Sequence, residues 1–343
     1  MSKKTRYLLL GAMTALLPIT NFAHASTHDF YKDKTARIVV GFAAGGGFDL
    51  YARTIARHMG RHIPGNPTII VENMPGAGGV IAANHLYKAA KPDGLTMGNF
   101  QGGLLVLLGQ MLGRPGIEFD TLKFEYIGVP VKDSWVCALT KASGITSMEK
   151  WMAAKTPVKL GGVSASATDD IAKILKETLA LPIQLVTGYK GTADIRLAAE
   201  AGEVAGGCWN WESIKTTWAK GIESGDAVVV LQIMPRPHPE LSKVPQAINF
   251  AKTEEARQLI KVGIQDTGAT SRLYALPPGT PKERVQTLRK AFMDTMKDPE
   301  FLAEAKKSKL DLDPESGDAV EKTIAELFKL SPAQLAKLKE ILK

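Results

Sequence analysis

The chain has 343 residues, of which 45% are hydrophobic and 23% charged, and its formal net charge is +8. These values exclude a disordered or fibrous protein and suffice for two domains with full cores. Basic residues are interspersed with acidic ones rather than gathered with aromatic residues, so nucleic-acid binding has little support.

Residues 1–25 have the pattern of a cleaved secretory signal peptide. Three basic residues precede an apolar run over residues 7–19, and Ala23-His24-Ala25 fits the small-residue cleavage rule. An N-terminal membrane anchor is the alternative, but the run is shorter than the roughly 20 residues that span a bilayer. We therefore expect a periplasmic protein whose remaining positive charge could attract anionic small molecules.

The mature chain opens with a predicted strand, glycine loop and helix. Ile38-Val39-Val40 is typical of a buried parallel strand, Gly45-Gly46-Gly47 allows a tight turn, and a helix is predicted from Asp49. The N-terminus of that helix would present free N–H groups and a positive dipole end, which suits an anion. Further strands at 68–71 and 96–98, with a helix ending near Lys88, predict an α/β domain built from parallel βαβ units.

The pattern changes to extended apolar segments over residues 126–140, which suit strands crossing between two domains. A second set of units then begins at 158–160 and enters a helix near Ile171. Ser166 and Thr168 precede that helix, either as N-caps or as ligand contacts across a cleft. The remaining predicted strands are 183–186, 204–208, 227–234 and 270–276, and the remaining helices are 193–201, 281–296, 299–309, 317–328 and a short Lys-rich helix at the end.

Catalytic and metal-binding patterns find little support. No histidine stands at metal-ligand spacing, and the GxSxG, GxxxxGK[ST] and HExxH patterns are absent from the sequence. We therefore expect a protein that is not an enzyme and binds no metal or cofactor. An exported nucleotide-binding or hydrolytic enzyme that uses the glycine-rich loops remains the alternative. Cys137 and Cys208 could form a disulfide in an oxidising compartment or could equally be buried thiols.

Several motifs together resemble one family, the Bug or TctC-like solute receptors of tripartite tricarboxylate transporters. They are GFAAGGGFD at 41–49, VENMPGAGG at 71–79, PDGLT at 92–96, YKGT at 189–192 and YALPPGTP at 274–281. Their order matches the family over the whole mature chain. The resemblance implies a monomeric, non-catalytic receptor that captures an organic carboxylate and delivers it to the permease subunits of a membrane transporter.

The resemblance also implies the fold and the site. The fold is α/β, a two-lobed periplasmic binding protein of the type II-like, Venus flytrap kind, with the ligand cleft between lobes at 26–128 plus 236–343 and at 129–235. Backbone N–H groups of the opening loop would hold a carboxylate, and loops of the second lobe would hold its distal end. The ligand-binding residues implied in this way are Phe42, Ala44, Gly45, Gly46, Asp49, Asn99, Gln101, Ser164, Ser166, Thr168, Thr192 and Trp209.

The chain departs from the family pattern at residues 202–210, GEVAGGCWN, where family members commonly read GQVDxxFDN. Both acids are absent, and Trp209 occupies the cleft-side position of the second. We hypothesise that Trp209, with Phe48 and Phe100, forms a stacking wall for a larger, aromatic carboxylate. Core or hinge packing is an equally good interpretation of Trp209, and the sequence does not choose the carboxylate or separate transport from sensing.

Overall fold

The computed structural model describes residues 30–103 and 109–343. The predicted signal segment therefore lies outside the described residues, as does part of the apolar run that follows the third strand. Two β-sheets organise the described chain. The first contains β1 (Thr35–Val40), β2 (Thr68–Asn73), β3 (Thr96–Gln101), β4 (Glu125–Val129), β10 (Arg272–Leu276) and β11 (Glu315–Ser316). The second contains β5 (Trp135–Thr140), β6 (Val158–Gly162), β7 (Ile183–Thr187), β8 (Gly206–Asn210) and β9 (Ala227–Ile233).

The two sheets have the same topology. Their strand orders are β11-β4-β10-β3-β1-β2 and β7-β6-β8-β5-β9. In each sheet three parallel strands are followed by an antiparallel one, which is β10 in the first sheet and β5 in the second. Each antiparallel strand is the first that the chain forms after it crosses from the other sheet. The α/β class and the crossing within residues 126–140 are thus confirmed.

The helices cover the faces of these sheets and present amphipathic patterns. They are α1 (Gly47–Met59), α2 (Val80–Lys88), α3 (Gly109–Met111), α4 (Met148–Met152), α5 (Ala167–Leu179), α6 (Thr192–Glu200), α7 (Trp211–Thr217), α8 (Ala219–Ser224), α9 (Glu254–Ile260), α10 (Lys282–Thr295), α11 (Pro299–Lys307), α12 (Gly317–Leu327) and α13 (Pro332–Ile341). Within residues 30–103 and 109–343, none of them is both long and apolar enough to cross a membrane.

Of the predicted bounds that differ from the structure, two do so for a local reason that can be named. Helix α5 begins at Ala167 rather than near Ile171, because the Ser166 hydroxyl accepts from the Thr168 N–H at 3.3 Å and so starts the helix earlier. Strand β8 lies two residues further along the chain than predicted. Its pairing with β5 places Trp135 opposite Asn210, and this brings Trp209 into the strand.

The hydrophobic cores show which segments pack with each sheet. Helices α1 and α10 contribute Ile55 and Phe292 to the core of the first sheet. The core of the second sheet includes Ile171 of α5 together with Ile260 of α9 and Leu338 of α13. The lobe boundaries stay a prediction, and we propose on this packing that residues 247–264 and the C-terminal helix belong with the second lobe.

Cys137 and Cys208, whose pairing the sequence left open, form a disulfide with an S–S distance of 2.01 Å. The two residues lie directly opposite each other on β5 and β8, and both are buried. The bond therefore joins the two strands whose ends, at Trp135 and Asn210, reach the space between the lobes.

Candidate functional site

A cavity lies between the two lobes, with about 440 Å³ of space when its open mouth is included. The first lobe contributes the loop before α1 and the end of β3, and the second lobe contributes the N-termini of α5 and α6 and the end of β8. The residues that line it are Phe42, Ala43, Gly46, Gly47, Phe48, Gln101, Trp135, Val163, Ser166, Ala167, Thr168, Gly191, Thr192, Trp209, Asn210 and Ser213.

The walls of this cavity touch, so the lobes are in a closed arrangement. A Cβ placed on Gly47, in the first lobe, would lie 1.9 Å from the Ser213 Oγ of the second. Arg114, which follows α3, donates to the Asp170 carboxylate on α5 at 2.6 Å, and this ion pair joins the lobes beside the cavity. Glycine at position 47 is therefore a steric requirement of closure.

Asp49 fixes the conformation of the loop before α1. Its carboxylate accepts from the Gly45 N–H at 3.0 Å, from Arg53 Nε at 3.0 Å and from Asn73 Nδ2 at 2.9 Å. Burial acts to raise the pKa of Asp49, but the hydrogen bonds from Arg53, Gly45 and Asn73 outweigh it and leave the pKa below its ordinary value. The ionised carboxylate of Asp49 thus faces the loop and Arg53. It does not occupy the N-terminus of α1 on the cavity side.

The N-terminus of α1 has no side-chain cap. The first N–H groups of a helix have no partner within it, and those of Gly47 and Phe48 meet no acceptor among the described residues. Both residues line the cavity. This helix end can therefore donate to an anion there.

Aromatic side chains form much of the wall. Phe42 and Phe48 pack with ring centroids 4.6 Å apart, and both line the cavity. Trp209 lines it too, although its side chain is buried and stacks on Trp218 with centroids 5.8 Å apart. Trp209 therefore packs in the core and also lines the cavity, and its stacking on a ligand stays a prediction. Phe100 does not line the cavity but packs in the core beside Phe124, so its predicted place in a stacking wall was wrong.

Comparison with known proteins identifies the family. The family model described as the Tripartite tricarboxylate transporter family receptor matches residues 51–343. The chain belongs to this receptor family. A UPF0065 protein from the gbd 5′ region of Cupriavidus necator is 26% identical over 312 residues, 89% of this chain and 87% of the relative. A UPF0065 protein of Bordetella pertussis is 27% identical over 304 residues, which cover 85% of this chain and 84% of the relative.

Three solved structures illustrate the similarity of fold. The periplasmic binding protein BugD has a TM-score of 0.70 and 22% identity, and the match covers 91% of this receptor and 98% of BugD. MatC from Rhodopseudomonas palustris with bound malate has a TM-score of 0.70 and 17% identity, with 91% and 99% covered. An R. palustris protein with adipate has a TM-score of 0.71 and 20% identity, with 90% and 97% covered. These matches confirm the two-lobed fold.

The receptor's cavity is lined by seven of the twelve residues that the resemblance implied. These are Phe42, Gly46, Gln101, Ser166, Thr168, Thr192 and Trp209. Five lie off the cavity: Ala44 and Gly45 are exposed on the loop, Asp49 supports it, and Ser164 is exposed with its Oγ 3.0 Å from Thr187 Oγ1. The fifth, Asn99, is buried and donates to the Leu273 carbonyl at 3.2 Å.

Among the lining residues that sequence reasoning missed are Trp135, Asn210 and Ser213. A signal for two of them was present. Had Cys137 and Cys208 been paired as directly opposite residues of antiparallel strands, counting two residues outward would have placed Trp135 beside Asn210. No comparable signal marked Ser213.

A buried charged network joins the two crossings between the lobes. Arg272, the first residue after the second crossing, donates through Nε to Asp133 of the first crossing at 2.7 Å and through Nη2 to Ser213 Oγ at 2.8 Å. Asn210 donates to the other Asp133 oxygen at 2.5 Å. Arg272 is 1% exposed, so its charge depends on Asp133 and on the rings of Phe48 and Tyr51 that it overlies.

Glu212, next to this network, makes receptor stability depend on pH. Burial raises the pKa of Glu212 to about 8, and the negative charge of Asp133 adds to this while Arg272 opposes it. The folded receptor thus holds a proton that the unfolded chain releases near pH 4.5, so the free energy of unfolding should fall as the pH rises towards 8. In Glu212→Gln, urea unfolding between pH 6.5 and 8.5 should show a flatter decline. An unchanged slope would contradict this role.

Glu212, His238 and Asp311 also bring ligand-type atoms within 4.8 Å of one another. The ammonium of Lys215 already lies 2.6 Å from Asp311, and Glu212 accepts from the Ser134 N–H at 3.1 Å. Asp311 is thus already paired with Lys215 and Glu212 with a backbone N–H, and we propose no metal there.

Proposed function

We propose that this receptor captures an organic carboxylate in the periplasm and delivers it, without catalysis, to the permease subunits of a tripartite tricarboxylate-type transporter. The observation that carries the proposal is the uncapped N-terminus of α1 at the cavity between the lobes. Two neighbours of the same fold hold malate and adipate, which supports a carboxylate as the ligand. In this proposal the receptor works as a monomer exported by its N-terminal signal.

The proposed mechanism is closure of the lobes over the acid. Loop N–H groups at Gly47 and Phe48 bind the carboxylate first, and closure then brings the N-termini of α5 and α6 and the Trp209 wall against the rest of the ligand. The charge of the ligand is thus met by backbone dipoles, because none of the described side chains that line the cavity is charged.

Titration of the purified receptor tests the proposal. Native mass spectrometry should find a retained organic acid, and malate, adipate and other carboxylates should be screened by the fluorescence of Trp135 and Trp209, which line the cavity. The proposal fails if no acid is retained and no carboxylate changes the fluorescence.

Gly47→Ala should weaken binding by about ten- to a hundredfold, since its Cβ would meet Ser213 only when the lobes close. The free energy of unfolding without ligand should change by less than about 1 kcal/mol, because the open lobes do not meet. The second substitution Ser213→Gly in the same chain removes the clashing atoms, together with the Oγ that accepts from Arg272, and should restore part of the affinity. Wild-type affinity in Gly47→Ala alone would refute closure at this point.

A further inference from the structure

Three of the helices that begin at the cavity, α1, α5 and α6, differ in how many N–H groups remain free, and the short helix α7 also begins there after Asn210. In α5 the first four are all taken. The Ala167 N–H donates to the Gln101 side-chain oxygen at 3.0 Å and the Thr168 N–H to Ser166 Oγ at 3.3 Å. The N–H groups of Asp169 and Asp170 donate to the Ser166 carbonyl at 3.1 and 3.0 Å. Gln101 belongs to the other lobe, so closure of the lobes itself caps the N-terminus of α5.

Helices α1 and α6 have free N–H groups at their N-termini. Neither has a side-chain cap, and the N–H groups of Gly47, Phe48, Thr192 and Ala193 meet no acceptor within residues 30–103 and 109–343. The two helix ends also converge, since a Cβ on Gly46 would lie 3.5 Å from Thr192 Oγ1. Two positive dipole ends thus meet at one end of the cavity, and one carboxylate can use both.

The rest of the cavity offers uncharged donors among its described lining residues, such as Asn210 and Ser213, but no cation that could pair with a second negative charge. Its lining is aromatic or aliphatic at Phe42, Phe48, Trp135, Val163 and Trp209, with no cationic side chain among the lining residues. The indole N–H of Trp209, which is 1% exposed, has no acceptor among the described residues. A buried carboxylate without a partner is strongly unfavourable.

We propose that this receptor is selective for monocarboxylates. Such an acid has one carboxylate, which binds at the convergent N-termini of α1 and α6, and an uncharged apolar or aromatic body. Gln101 sets this selectivity by capping the N-terminus of α5. The inference rests on the proposed function and narrows it. Gln101 is a positioning residue here, because it acts through the Ala167 N–H that it removes from the ligand.

Matched acids test the inference. The receptor is titrated with hexanoate against adipate and with benzoate against terephthalate, pairs that differ chiefly in the second carboxylate. We expect the monocarboxylate to bind at least about tenfold more tightly in at least one pair, the scale of one unpaired charged group. A dicarboxylate that binds as tightly or more tightly in both pairs overturns the inference and leaves the carboxylate receptor proposal intact.

Two variants separate Gln101 from a general effect on the fold. Gln101→Ala frees the Ala167 N–H and should shift the ratio of affinities towards the dicarboxylate by at least about fivefold. Gln101→Glu keeps an acceptor on that N–H and adds a negative charge at the cavity, so the preference for the monocarboxylate should be kept or increased. An unchanged ratio in Gln101→Ala overturns the role of this residue. If none of the four acids binds, the inference is overturned, and the proposed function is then judged by the acid that native mass spectrometry finds.

Discussion

Replacing Arg272 with methionine should lower the free energy of unfolding by about 3–5 kcal/mol, the cost of breaking a buried ion pair by removing one partner. The Asp133 carboxylate, fully buried, would lose the guanidinium 2.7 Å away and would remain beside Glu212. The cationic contacts with Phe48 and Tyr51 would be lost as well. Urea unfolding followed by tryptophan fluorescence measures the change.

Two further variants make this prediction specific to the buried pair. Adding Asp133→Asn to Arg272→Met removes the uncompensated charge and should recover about 1–3 kcal/mol. Arg257→Met removes an exposed arginine, 3.7 Å from Glu254, and should change stability by less than about 0.5 kcal/mol. Equal losses in Arg272→Met and Arg257→Met would show that the pair joining the two crossings does not stabilise the fold.

Removing the disulfide should cost about 4 kcal/mol of unfolding free energy. The bond joins residues 71 apart, and closing a loop of that length takes this much entropy from the unfolded chain. The variant carries Cys137→Ser and Cys208→Ser, and guanidinium unfolding compares it with the oxidised wild type. Strands β5 and β8 meet the cavity just beyond the bond, so ligand binding should weaken in the same variant.

The reduced wild type is the matched control for the disulfide. The reduced wild type differs from the variant only in having two sulfur atoms in place of two serine oxygens. Its unfolding midpoint in the presence of a thiol should agree with that of the variant. A loss below about 1 kcal/mol in both would mean that the unfolded chain already holds the two segments close together.

Much of the architecture could be predicted because local sequence patterns indicate it. Apolar runs followed by glycines and amphipathic segments indicated the βα units, and the motifs in order indicated the family and its two lobes. The bounds of α5 and β8 were missed because a hydroxyl cap at Ser166 and a strand partner decided them. Neither effect changes the apolar periodicity from which the bounds were predicted.

The candidate site was only partly predictable. The resemblance led to Gly46, Ser166 and Thr192, which do line the cavity. It also led to Asp49, whose carboxylate is taken by Gly45, Arg53 and Asn73 behind the loop. Which face of a loop a side chain takes depends on partners elsewhere in the chain, and spacing alone does not contain that information.

The sequence by itself determined the α/β units, the glycine loop before α1 and the family. Only the tertiary structure decided which helix ends stay free for a ligand. The bond from the Ala167 N–H to Gln101 joins residues 66 apart, and the pair of Arg272 with Asp133 spans 139. Such contacts form only in the folded chain, because the crossings between the sheets bring together segments that are distant in sequence and whose local patterns do not indicate each other.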